Sequence, residues 1–194
     1  TLMQAYNQVF DRVSTNQNAA GYWCYVNAGC NDSSTTQLVM AGLSAAKGLY
    51  SDAAFADAGR LATADTLAAN ARAGYIANGT PGGGGFAGSA DELGHGYNAG
   101  SPNSIQQTAS GTWIQLVGGA DLNDATVQGY LRWIYNRYRY SSIYGDGIDA
   151  FWGSSYFYYL WSSSKAYNFL NASGVAANAG NIGPDDLGTL APAD

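Results

Sequence analysis

Asn31-Asp32-Ser33-Ser34-Thr35-Thr36-Gln37, running into Leu38-Val39-Met40-Ala41-Gly42-Leu43, is a hydroxyl-rich helix start followed by an apolar helical run. It returns as Ser104-Ile105-Gln106-Gln107-Thr108-Ala109-Ser110, running into Trp113-Ile114-Gln115-Leu116. A worn copy reads Gly153-Ser154-Ser155-Tyr156-Phe157-Tyr158-Tyr159-Leu160. A pattern recurring at such spacings signals stacked or ringed supersecondary units, so it bears on the fold before any single residue does.

Working outward, Asp32 or Ser33 caps a helix over about 34–50, with Val39, Leu43, Ala46 and Tyr50 on one stripe. Leu2, Tyr6, Val9, Phe10 and Val13 predict a helix over 2–14. An Ala-rich segment, 53–77, reads as a long helix that would let neighbours approach closely. Further helices are expected over about 104–118 and 124–140, the second with Asp124 as N-cap. The segment 150–171 is aromatic almost all round, which places it in a core or an interface, with Trp152, Tyr156, Tyr159 and Trp161 as interface candidates. Four glycines after Gly79-Thr80-Pro81 carry too much backbone entropy for regular structure. Residues 79–102 therefore read as one long irregular connection, a kind of loop that is often functional. No alternating strand pattern stands out. The expected fold is all-α: a domain of helical hairpin repeats over 1–173, then a Gly/Asn/Pro-rich tail or arm over 174–194.

Composition narrows the function classes. The 194 residues carry a net charge of −6, with only 11% charged residues and Lys47 and Lys165 as the sole lysines. That charged share is less than half the usual one. A surface so poor in charge is covered by neutral polar groups, which suits a secreted or cell-surface protein. The acidic balance leaves no basic stripe for nucleic acid. Arg132, Arg137 and Arg139, set among tyrosines, read as snorkelling arginines on an exposed helix face. No apolar run reaches the eighteen residues of a membrane span. With neither an initiator Met nor a charged-then-apolar leader, Thr1 reads as a processed start.

Cys24 and Cys30 stand close enough to close a small loop disulfide in an oxidising compartment. A zinc site would need two more Cys or His, and the chain offers only His95, so no metal is expected. Asn31, Asn78 and Asn171 each open an Asn-x-Ser/Thr sequon, which matters only if the source glycosylates.

The Gly/Trp/Tyr loop, the Asp-Ser-Ser-Thr-Thr-Gln start and Met40-Ala41-Gly42-Leu43-Ser44-Ala45-Ala46 together resemble the repeat of the prenyltransferase and squalene/terpene cyclase superfamily. Gly118-Gly119-Ala120-Asp121 before Tyr130-Leu131-Arg132-Trp133-Ile134 is similar to the same unit, as is Tyr158-Tyr159-Leu160-Trp161 before Lys165-Ala166. The resemblance spans about residues 20–170 and implies an α/α toroid of inner and outer helices, here only a partial one. It does not carry the chemistry with it. Where the protonating cyclases have Asp-x-Asp-Asp-Thr, Ser34 and Thr35 stand at the acidic pair. The Asp-x-Cys of the zinc prenyltransferases is absent. The single Asp-Asp, Asp185-Asp186, lacks the third aspartate of a magnesium–diphosphate site.

Three classes remain, in descending order. The first is a structural or interaction protein that self-assembles into a homo-oligomer, ring or filament, because about three hairpins leave helix faces open. The second is a glycan-active enzyme or glycan-binding module. Its candidate residues are Asp91, Glu92, His95, Asp146 and Asp149, since paired carboxylates and a histidine beside tyrosines suit sugar chemistry. That version requires Asp91, Glu92 or His95 to face Asp146 or Asp149 across one cleft. The third is a terpene-cyclase-like enzyme. The balance leans away from catalysis, with no cofactor expected.

Overall fold

The computed structural model describes residues 1–26, 29–83, 89–137 and 156–186. They form six helices: α1 Leu2–Ser14, α2 Ser33–Ser51, α3 Ala58–Asn78, α4 Ile105–Val117, α5 Ala125–Arg137 and α6 Tyr156–Ser173. Two short strands, β1 His95–Gly96 and β2 Asn103–Ser104, pair antiparallel within the long connection. The protein is thus predominantly helical, as the hydrophobic spacing predicts.

Side-chain caps set the helix starts. Asp32, rather than Ser33, accepts the Thr35 N–H at the head of α2, and Ser104 accepts the Gln107 N–H at the head of α4. Asp124 accepts the Thr126 N–H beside α5. Helix α3 begins later than its alanine content predicts. Asp52 commits its carboxylate to the Ala54 N–H, and Asp57 is the residue that caps, accepting the Arg60 N–H at 3.0 Å. Arg60 then reaches across to Asp11 with two further bonds, tying α1 to α3.

Helix α4 is the centre. Twelve of its thirteen residues are buried, and it packs on α6, α5, α2 and α3. Trp113 stacks on Phe169 and meets Trp161 edge-on, within a core that also holds Met40, Leu43, Tyr50, Leu67 and Tyr75. A second cluster joins Ile105 and Ala109 to Trp133, Ile134 and Tyr159. Close approach depends on glycine: a Cβ at Gly111 would lie 2.8 Å from the Tyr130 ring.

The segment expected to be a tail folds back over residues 174–186. Asn123 accepts the Asn178 N–H, and Gln128 bonds both the N–H and the carbonyl of Ile182. Val175 and Ile182 cover Leu122, Val127, Leu131 and Leu170, an apolar patch that gives even a Gly/Asn-rich strap something to bury.

Candidate functional site

Two loop-to-helix junctions organise the molecule. Trp23 bridges Asp32 antiparallel, just as His95 pairs with Ser104. The Trp23 N–H is accepted by the Thr36 hydroxyl in the first turn of α2. The His95 N–H is accepted by the Thr108 hydroxyl in the first turn of α4. Corresponding residues lie at one constant offset along the chain. The junctions meet where Ser33 Oγ stands 2.7 Å from Gln107 Oε1.

Among the described candidates, Asp91, Glu92 and His95 do not share a cleft. Glu92 is buried and takes Arg137 Nη2 at 3.0 Å and the Asn136 amide on its other oxygen. Arg137 is no snorkelling surface residue. It is fully buried, donates to Gly83 O and Trp133 O, and lies over the Trp133 ring. Together the pair fastens the glycine-rich connection to α5, with Gly82 and Gly83 at positive φ turning their carbonyls inward. Asp91 points the other way, into solvent, where it meets Arg132 and Ser89. Asp146 and Asp149 lie outside the described residues.

His95 is sealed, at 0% exposure. Its ring stacks on Tyr75 at 4.1 Å. Nδ1 lies 2.7 Å from the Gly96 carbonyl, which assigns the proton there and leaves Nε2, 2.8 Å from the Tyr22 hydroxyl, as an acceptor that shares that hydroxyl's single proton with the Gly74 carbonyl at 3.0 Å. Burial penalises the imidazolium and drops its pKa to about 4. Tyr22 and Tyr75 are pushed the opposite way, again by burial. A neutral, dry imidazole between protonated tyrosines is a structural hydrogen-bonding group, not an accessible proton carrier.

The polar residues that do converge were not among those candidates. At the heads of α2 and α4, the Tyr25 hydroxyl lies 3.4 Å from both Ser34 Oγ and the Tyr97 hydroxyl. Tyr97 bonds the Asp32 side chain, and Tyr158 of α6 stands near Ser34 and Gln107, part-buried. Burial, then the bonds to Tyr25 and Asp32, hold the Tyr97 phenol well above its ordinary range. Burial raises Tyr158 to about 12, opposed by Ser34 and Gln107. Tyr25 is 68% exposed on the Cys24–Cys30 disulfide loop. The cluster offers phenol donors, one carboxylate and an open aromatic face, which suits hydrogen bonding and stacking. Its signal in the sequence is the hydroxyl-rich helix start itself, which by spacing alone reads only as a cap.

The interface candidates divide as well. Tyr159 is buried in this chain's own core, and Trp161 is partly buried against Trp113. Trp152 and the Tyr156 side chain lie outside the described residues. Among the described residues, an uncovered apolar surface lies in a groove of ≈ 330 Å³ between α1 and α2 lined by Val9, Phe10, Val13, Leu38, Val39 and Gly42. Among the sequons, Asn171 is exposed, Asn31 bonds Asn18, and the Asn78 amide donates to Tyr22 Oη and Gly74 O. Among the described residues there is no metal-competent group of three His, Cys, Asp or Glu side chains, and no helix long and apolar enough to cross a membrane.

Comparison with protein families, with characterised proteins and with solved structures gives no match.

Proposed function

We propose that this chain is a structural and interaction domain of helical hairpins, arranged as part of an α/α toroid, that works by self-association on the cell surface or in a secreted assembly. The apolar groove between α1 and α2 carries the reading. Val9 is 64% exposed and Leu38 54% exposed on its rims, an arrangement that gains free energy when covered. The two junctions built at one offset support the repeat arrangement. The Cys24–Cys30 disulfide and the charge-poor surface support an oxidising compartment. Light scattering across a concentration series tests the proposal. The expected result is a mass that rises with concentration and falls to one chain in Leu38→Asp. A single-chain mass at every concentration overturns it.

A second reading rests on the tyrosine–carboxylate cluster, whose exposed Tyr25 ring and neighbouring hydroxyls have the chemistry of a sugar subsite. Titration with neutral and uronate oligosaccharides tests it: saturable binding lost in Tyr25→Ala supports glycan contact, and no heat with either class removes it.

A further inference from the structure

We propose that the first turns of α2 and α6, which α4 packs against from one side, enclose a binding site for one internal water molecule, held between the Gln37 side-chain amide and the Tyr158 hydroxyl.

The walls come from residues stacked along each helix. Ser34 and Gln37 stand three apart on α2, and Tyr158 and Ser162 four apart on α6, so on each helix the pair lies one above the other. In the outer layer Tyr158 stands near Ser34, with Gln107 of α4 beside them. One turn deeper, Ser162 Oγ donates to Gln37 Oε1 at 3.0 Å. The seam is polar although bulk solvent does not reach it. Gln37 and Ser162 are fully buried, and Ser34 and Gln107 are buried with them.

Two polar groups in this seam are unmet. Gln37 Nε2 and the Tyr158 hydroxyl are both buried, and neither has a hydrogen-bond partner among the described residues. Turning the Gln37 amide over would place Nε2 on Ser162 and strand Oε1 instead, so one end of the amide lacks a partner in either orientation. Burying a polar group without a partner costs more than a typical hydrogen bond returns. Two such groups in adjacent layers of one seam therefore call for a shared partner. That partner must be small, because protein encloses the site. It must be able to donate and accept, because the amide offers one role and the phenol both. Ser34, Gln37, Gln107, Tyr158 and Ser162 bring no charge, which suits a neutral molecule over an ion. Water meets each condition, and the serine hydroxyls supply the further contacts that a buried water makes.

A high-resolution crystal structure of the intact chain tests the site directly. The expected result is a water peak about 2.7–3.2 Å from both the Gln37 amide and the Tyr158 hydroxyl. No peak, a peak on one group alone, or a direct Gln37–Tyr158 bond overturns the proposal. Thermal unfolding is the second arm. Tyr158→Phe deletes a hydroxyl that no described residue bonds, so a loss of stability reports a bound molecule. The melting midpoint should fall by about 2–4 °C, the shift that one lost buried hydrogen bond produces in a chain of this size. An unchanged or raised midpoint is what removal of an unmet hydroxyl gives, and it overturns the site. Gln37→Met, made together with Ser162→Ala, removes the amide and its direct partner at nearly constant volume. Tyr158→Phe should have little further effect in that background, because both groups act through one water. Additive losses would mean that they share nothing.

Discussion

The two junctions reach the same backbone geometry with opposite chemistry. At the first, Trp23 sits in the apolar core with its indole N–H on Val13 O, and the loop beside it is closed by the Cys24–Cys30 disulfide. At the second, the equivalent position is His95, stacked on Tyr75, and the loop before it is held by the buried Glu92–Arg137 pair. The bridge and the threonine hydroxyl are common to both, while the filling differs. A helix start of this type therefore needs its N-cap and its threonine. What packs behind the bridge is free to be apolar and covalent in one place, polar and titratable in the other. The first junction should answer to reductant and the second to pH.

The largest break is expected at the second junction. Glu92→Ala leaves the Arg137 guanidinium buried without its carboxylate, and removal of one partner from such a pair costs about 3–5 kcal/mol. Urea unfolding measures it. A loss below about 1 kcal/mol would mean that the glycine-rich connection is held by its backbone bonds alone. Nothing comparable exists at the first junction, where Ala20 holds the position equivalent to Glu92 and residues 13–22 carry no charged side chain.

Acid titrates the same contrast. The folded chain holds His95 near pKa 4, while the unfolded chain takes up its proton near 6.5. Between those values the unfolded state binds more protons, so stability rises with pH and falls as pH drops from 6.5 towards 4. Below about 4 both states are protonated and the loss levels off. The full penalty is about 3 kcal/mol. His95→Gln should flatten this part of the stability–pH profile, whatever it does to the plateau; a slope that survives the substitution belongs to other groups.

Reduction probes the first junction. Opening Cys24–Cys30 releases a short loop, worth about 2 kcal/mol by loop-closure entropy. Reduced and oxidised protein should differ by that amount at neutral pH and keep the same acid slope, because the disulfide and His95 serve different junctions. A change in the slope on reduction would show that the two are coupled.

The helices were legible because their signals are local. Capping side chains and apolar stripes place α1, α2 and α4 within a residue or two of expectation, and the cysteine spacing forecast the disulfide. What could not be read was which polar groups go inside. Glu92, His95 and Arg137 look like loop and surface chemistry in one dimension, because burial of a charge depends on a partner many residues away. The fold-back of residues 174–186 escaped for the same reason: its apolar anchors are Val175 and Ile182, and the patch that they cover comes from α5, α6 and Leu122 in the connection before α5. The Tyr25–Asp32–Tyr97 cluster was hidden by its own motif. Asp32 caps α2 with one oxygen, and only the fold brings Tyr97 to that side chain.

The smallest and most discriminating test addresses what the junctions share. Thr36 Oγ1 accepts the Trp23 N–H at 3.0 Å, and Thr108 Oγ1 accepts the His95 N–H at 3.0 Å. Both threonines are buried, at 0% exposure. Valine keeps the shape and removes the acceptor, leaving one buried backbone N–H unsatisfied in each case, and at Thr36 it also removes the hydroxyl's bond to the Asp32 carbonyl, which still accepts the Thr36 N–H. Each substitution should cost about 1–3 kcal/mol, and the two values should agree within about 0.5 kcal/mol if the backbone geometry, rather than the filling, sets the cost. The double variant should be the sum of the singles unless the Ser33–Gln107 contact transmits strain from one helix start to the other. Hydrogen exchange at the Trp23 and His95 amides reads the two sites separately. If Thr36→Val exposes only Trp23 and Thr108→Val only His95, the junctions are independent copies of one device. Loss of protection at both amides from either change would make them a single cooperative polar core.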